Sequence, residues 1–302
     1  MGGGEGRQAV AFAPSHVTGI FAPSLTARDP RGRGSVGAGI VLELGVRATA
    51  RYRVGGRARV CLTSDLGRRL EISEEVAKRL LGAGPGRLDI HLTHDLPVGQ
   101  GFGSSAAGAT ATALAAARLF GRPRLEAVQV AHLADLFGGG GLGGVAAVLG
   151  GGLEVRVRPG IPPFGQVIHR PFPEALLVGV VGGPLPSPAI LSSPRVLTRI
   201  HHAARGLDRL GPRPTTAEFF ALSERFTDRV GLAPLPLRDV IRALRRRGAW
   251  AAQAMFGRSF FARPRSPPAR REVLRWLTEH RIRAVELRAA NRGANARSLG
   301  PS

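Results

Sequence analysis

The chain has 302 residues, 43% hydrophobic and 21% charged, with a mean hydropathy of +0.02, which allows one large core or two ordinary ones and excludes a disordered or membrane composition. A single cysteine, Cys61, excludes an internal disulfide framework and a cysteine-cluster zinc site. The formal charge of +22 invites a nucleic-acid reading, but the cations are scattered, all but Lys78 are arginine, and 5% aromatic residues offer little for base stacking, so nucleic acid is not an expected partner.

The opening residues, MGGGEGRQAVAFAP, have neither a basic n-region nor an apolar h-region, which predicts a cytoplasmic protein. AVAFAP, GIVLELGVRATARYRV and RARVCLTS alternate apolar with arginine or polar positions and read as strands. SEEVAKRLL, from Ser73 to Leu81, predicts a short helix with Ser73 as its N-cap. RLDIHLTHDL is a strand with one wet face, and it runs into the glycine loop of PVGQGFGSSAA. Ser104 to Phe120 then predicts a helix stopped by Gly121 and Pro123.

RLEAVQVAHLADLF is a second amphipathic helix, and VAAVLGGGLEVRVRP reads as a helical turn followed by a strand. The most apolar windows, Ala175 to Leu185 and Phe137 to Leu153, are respectively too short and too rich in glycine to span a bilayer, so no membrane segment is expected. EALLVGVVGGPL opens a second lobe as a buried strand. Helices are predicted over Val196 to Leu210, Thr216 to Val230 and Leu237 to Arg247, with AWAAQAMFGRSFFA as a glycine turn between apolar segments. A last amphipathic helix follows the Pro-rich break in RPRSPPARREVLRWLTEHRIRAVEL, and the residues after Asn291 are expected to be loose.

A helix beginning near Ser104 offers unpaired N–H groups and the positive end of its dipole, while Gly99, Gly101 and Gly103 remove the β-carbons that would hold a phosphate off. A Walker loop would need Gly-Lys-Ser/Thr, and no lysine is near. A dinucleotide fingerprint would need an unbroken apolar strand and an acidic residue about 20 residues on. The VAIK, HRD and DFG companions of a protein-kinase loop are absent. Ser104 and Ser105 would also suit an ordinary N-cap.

PVGQGFGSSAA resembles the long phosphate loop of the GHMP kinase superfamily, and within it the closer resemblance is to the archaeal pantoate kinases. FAPSHVTGIFAP is similar to that family's P-G-H-I-T-G-F-F segment, with Ser15 in the glycine position. GSVGAGIVLELGV, GGLEVRVRPG, SPAILSSP and AAQAMFGRSFFA resemble further family segments in the family's order. The resemblance implies a two-lobed α+β GHMP kinase fold, with a ribosomal-protein-like N-terminal lobe over residues 1–170 and an α/β C-terminal lobe over 171–302.

It also implies ATP and Mg²⁺ as cofactors, pantoate as acceptor and a homodimer. By resemblance, the phosphate site takes in Pro97, Gly99, Gly101, Gly103, Ser104, Ser105 and Ala106. Ser105 and Asp135 would reach Mg²⁺, Asp135 standing where the family has glutamate. Arg156 would take the carboxylate of pantoate, and His16 and Thr18 would contact the substrate. The family's catalytic aspartate, in G-L-G-D, is replaced by Gly144 in Gly141-Leu142-Gly143-Gly144. Gly144 cannot take a proton, which makes His132 and Asp135 the candidate substitutes and keeps two alternatives open: a kinase for another small hydroxy acid, and a catalytically silent nucleotide- or nucleic-acid-binding relative.

Overall fold

The computed structural model describes residues 7–184, 193–211 and 213–299. Strands β1 (Arg7–Ser24) and β2 (Gly34–Arg53) pair antiparallel along their whole length. β3 (Arg59–Ser64), helix α1 (Glu71–Leu81) and β4 (Arg87–His94) follow, then α2 (Ser104–Phe120), α3 (Arg124–Phe137), the single turn α4 (Gly144–Ala147), β5 (Leu153–Arg158) and β6 (Gln166–Arg170). Next come β7 (Leu176–Val180), α5 (Pro194–Ala203), α6 (Thr216–Val230), α7 (Leu235–Arg246), β8 (Ala249–Gln253), β9 (Ser259–Pro264), α8 (Pro267–Glu279), β10 (Ala284–Leu287) and β11 (Asn295–Leu299).

One sheet runs β11-β1-β2-β4-β3, with β5 and then β6 added to the other half of β2. The second runs β10-β7-β9-β8. β2 is thus a shared spine, pairing with β4 through Val46 to Arg53 and with β5 through Gly37 to Ile40. β11 returns from the far end of the chain to pair with β1, so a cut after residue 170 places that strand's sequence and its sheet in different halves.

α2 owes its position to small residues on both sides. Its alanines, buried around most of the helix, meet Ala9, Ala11, Ala13, Ala48 and Ala50 of the first sheet in one core. Without longer side chains between them, helix and sheet approach closely, and dense packing fixes the N-terminus of α2 over the sheet. A second, phenylalanine-rich core containing Phe21, Phe102, Phe219, Phe226 and Phe261 joins the first sheet to α6 and the second sheet.

The predicted ends of α2 and α3 hold, and α6 begins as expected under a Thr215–Glu218 capping box. Four expectations need correction. Helix α1 begins at Glu71, and Ser73 is a buried residue inside it, facing Gly108 of α2, rather than its N-cap. The predicted helix from Val196 starts at Pro194 and ends at Ala203, with a 3₁₀ turn completing the stretch to Leu210. The RIRAVEL segment supplies strand β10. Of the residues after Asn291, Asn295–Leu299 form β11, held by main-chain bonds to β1 that arginine, serine and asparagine side chains do not advertise. Of the SPAILSSP segment, residues 187–192 lie outside the described residues.

Candidate active site

β4 ends at His94 and hands the chain to a loop whose three key glycines all have left-handed backbone: φ is 77° at Gly99, 79° at Gly101 and 66° at Gly103. At Gly101 a β-carbon would also stand 2.5 Å from the Ala254 carbonyl oxygen, because the loop lies against the β8–β9 turn. Gln100 ties it there, its side-chain amide donating to the Gly182 carbonyl at 3.0 Å while its main-chain carbonyl accepts from the Ser259 hydroxyl. On the other side the His16 N–H donates to the Phe102 carbonyl at 3.0 Å. Both sheets therefore hold the loop.

The N-cap of α2 is Gly103, and no side chain caps the helix. Ser104, which could have been an ordinary cap, instead starts the helix, and its buried hydroxyl has no hydrogen-bond partner among the described residues. An uncapped helix start below a glycine loop keeps its N–H groups available for an anion. Ser105 turns the other way and donates to Asp135 Oδ1 at 2.7 Å. Gly140 leaves room for that pair, since a β-carbon there would fall on both side chains.

Asp135 is 2% exposed, and burial pushes its carboxyl up to about 6 against the opposing pull of the Ser105 hydrogen bond. Among the described residues no cluster of three or more His, Cys, Asp or Glu side chains could hold a metal by itself. A single carboxylate beside a hydroxyl at a phosphate cradle does suit Mg²⁺, which binds through one or two carboxylates plus substrate phosphates.

The other wall of the cavity is built by β1, β2 and β5. Register shifts in β1 between Pro14 and His16 and between Thr18 and Ile20 kink this strand where a turn beside Gly19 could have been read. His16 and Thr18 both line the cavity. Glu154 and Arg156, two residues apart, share one face of β5. Glu154 is fully buried; its Oε1 accepts from His16 Nε2 at 2.8 Å and also from Arg156 Nη1.

Glycines make the space for this cluster. A β-carbon at Gly39 would fall on His16 Nε2, and one at Gly37 would stand 2.7 Å from Arg156 Nη2. Burial raises the Glu154 carboxyl, but Arg156 and His16 more than offset this and hold it below the usual range. Burial outweighs Glu154 at His16, whose pKa is lowered, so the ring is neutral at neutral pH and donates its Nε2–H to the carboxylate in a hydrogen bond.

Pro97, Gly99, Gly101, Gly103, Ser104, Ser105, Ala106, Asp135 and Arg156 line the same cavity as His16 and Thr18, with a volume of about 910 Å³. His132, one of the two candidate bases, does not line it. Its Nε2 is buried without a hydrogen-bond partner among the described residues, and burial lowers its pKa against the opposing pull of the Arg33 and Pro30 main chain. Gly144 is in the wall, and a β-carbon on it would stand 2.6 Å from Ala106 Cβ.

Residues 70–152 match the model of the GHMP kinases N terminal domain. The pantoate kinase of Thermococcus kodakarensis is 33% identical over 240 residues, 78% of this chain and 80% of that protein. The chain belongs to the pantoate kinases, a family of ATP-dependent GHMP kinases. The pantoate kinase of Methanospirillum hungatei is 30% identical over 262 residues, covering 83% of this chain and 86% of the relative. Among solved structures, a phosphotransferase related to the CoA biosynthesis pathway superposes with a TM-score of 0.85 at 28% identity, covering 96% of this chain and 98% of its own. A homoserine kinase from Cytophaga hutchinsonii shares the fold, with a TM-score of 0.68 at 18% identity and 97% of each chain covered. No helix among the described residues is long and apolar enough to cross a membrane.

Glu154 is the residue that the pattern of family motifs missed. Its signal was present as an acid and a base at i and i+2 of one strand, opposite a strand whose glycines carry no side chain.

Proposed function

We propose that the protein transfers the γ-phosphoryl group of ATP to the terminal hydroxyl of (R)-pantoate, giving 4-phosphopantoate for coenzyme A synthesis. One observation carries this reading: the uncapped start of α2 with its left-handed glycine loop and the buried guanidinium of Arg156 open into the same cavity. The first suits polyphosphate and the second suits a carboxylate. Arg156 Nε is buried without a partner among the described residues, and a substrate carboxylate would satisfy it.

In this reading the backbone from Gly99 to Ala106 binds the phosphates, and Pro97 shapes the loop's entry. Ser105 and Asp135 would hold Mg²⁺, which supplies neutralisation of phosphate charge when bound. His16 and Thr18 face the acceptor. Because phosphoryl transfer is mostly positioning and charge neutralisation, a wall tied to both sheets contributes by keeping the reacting groups in place. Purified protein with ATP, Mg²⁺ and (R)-pantoate should yield ADP and 4-phosphopantoate in equal amounts, identified by mass. ATP binding with no phosphorylated acid would overturn it.

A second reading, transfer to another small hydroxy acid, rests on Ser15, Asp135 and Gly144, which stand where the family pattern has Gly, Glu and Asp. A panel of hydroxy acids ranked by kcat/KM decides between the two, with pantoate expected first.

A further inference from the structure

Gly144 leaves the cavity without the carboxylate that would take the acceptor's proton, and the replacement has to come from a side chain already facing that space. Asp135 is engaged with Ser105 below the phosphate loop, Glu71 at the start of α1 lies with β3 on the β4 side of the sheet, away from Arg156, and His132 is outside the cavity. Two histidines line it, and each has a carboxylate partner: His94 with Asp65 at 2.8 Å and His16 with Glu154 at 2.8 Å. Their positions on β2 separate them. His94 pairs with Val46 and His16 with Val41, five residues away and so about 17 Å along the strand, while Arg156 pairs with Gly37, four residues further on. His16 belongs to the Arg156 end, sharing one oxygen of Glu154 with it. That end also comes next to the position of the lost carboxylate: a β-carbon on the preceding residue, Gly143, would stand 2.8 Å from Arg156 Nε, whereas one on Gly144 itself meets Ala106 Cβ.

The geometry points to His16 as the general base for the acceptor hydroxyl, with Glu154 and Arg156 as its positioning residues; this rests on the kinase reading above. Glu154 accepts from Nε2, which leaves Nδ1 as the ring's acceptor atom. In the step, the acceptor oxygen bonds to the γ-phosphorus as the bond from that phosphorus to the β,γ-bridging oxygen breaks. The bridging electron pair leaves with ADP, and the hydroxyl proton passes to His16 Nδ1. The resulting imidazolium lies against the Glu154 carboxylate, which stabilises it as the carboxylate of a catalytic triad does its histidine. Arg156 keeps Glu154 ionised and opposes over-stabilisation of the imidazolium, so the proton can leave again. The charged and titratable groups acting on His16 are Glu154 and Arg156 of β5 and His169 of β6.

The experiment is single-turnover formation of 4-phosphopantoate against pH, at saturating Mg²⁺, for the unaltered protein, His16→Asn and Glu154→Gln, with ATP affinity and melting measured on each. The unaltered rate should fall on the acid side with a single-proton slope as His16 becomes protonated. His16→Asn should lose about 10²- to 10⁴-fold in rate, the usual worth of a general base, while keeping ATP affinity and losing the acid limb. Glu154→Gln should move that limb to lower pH, because the charge that favours the imidazolium is gone. An unaltered rate that stays flat through and below the imidazole range overturns the proposal without any variant. So does an active His16→Asn within threefold of the unaltered rate that keeps the limb. Failure of the unaltered protein to phosphorylate pantoate at any pH overturns the kinase reading itself, and an active unaltered protein with an indifferent His16 overturns only the base.

Discussion

Two buried carboxylates, Asp135 in the cavity wall and Glu154 behind the His16 and Arg156 side chains that line it, stand in opposite electrostatic conditions. Glu154 is met by a guanidinium and an imidazole on the same oxygen and is held ionised. Asp135 is met by one hydroxyl, and its carboxyl is pushed up to about 6. The first is a completed charge cluster, whereas the second lacks a cation. Burial alone would raise both, so the difference comes from the neighbours and separates a wall that orients from a wall that recruits.

The strongest way to break this comparison is Glu154→Ala. Arg156 would remain buried and unpaired, at a cost of about 3–5 kcal/mol in unfolding free energy, read from urea titration. A loss below about 1 kcal/mol would show that water or another group already shares the Arg156 charge.

Asp135→Asn should act in the other direction. A carboxyl lifted from 3.8 to about 6 makes the ionised folded state less stable by about 3 kcal/mol, at about 1.4 kcal/mol per pKa unit. The penalty is absent below the unfolded pKa, grows as pH rises towards about 6 and persists above it. Asp135→Asn should therefore be more stable than the unaltered protein at neutral pH and equal to it below about pH 4, while losing Mg²⁺-dependent activity. Stability curves at the two pH values check the sign.

A third carboxylate sharpens the comparison. Gly144→Asp would restore the family's acid, but its β-carbon meets Ala106 Cβ, on the rigid first turn of α2, at 2.6 Å. Overpacking of this kind costs about 1–3 kcal/mol. The substitution is expected to lower the melting temperature without raising the single-turnover rate; a faster enzyme would mean that α2 yields. The smallest effect is expected for Ser105→Ala, which removes Asp135's hydrogen bond. It should cost about 1 kcal/mol and raise the Asp135 pKa further, visible as a shift in the pH dependence of stability.

The phosphate-loop wall was more legible in sequence than the acceptor wall, for a physical reason. Glycines at a helix start are local, and the boundaries of α2 and α3 follow from Gly121, Pro123 and Gly138. Asp135 could be found because its helix carries the family pattern. The acceptor wall depends on register between distant strands: Gly39 pairs with Glu154 and Thr18 with Gly39, so His16 meets Glu154 only after three strands have assembled. Arg156 and His16 were singled out by motif, while Glu154 between them was invisible until pairing was known. β11 was missed likewise, because its partner lies at the other end of the chain. His132 resembled a candidate base because it is one helical turn from Asp135, yet its ring lies against the Pro30–Gly32 turn.

The most direct measurement is rapid-quench mixing of excess protein with γ-labelled ATP, Mg²⁺ and (R)-pantoate. The account predicts that the label moves to 4-phosphopantoate in a single exponential, leaving ADP, with no transfer when pantoate is omitted. Label that remains on bound ATP, or appears only as free phosphate, would contradict it.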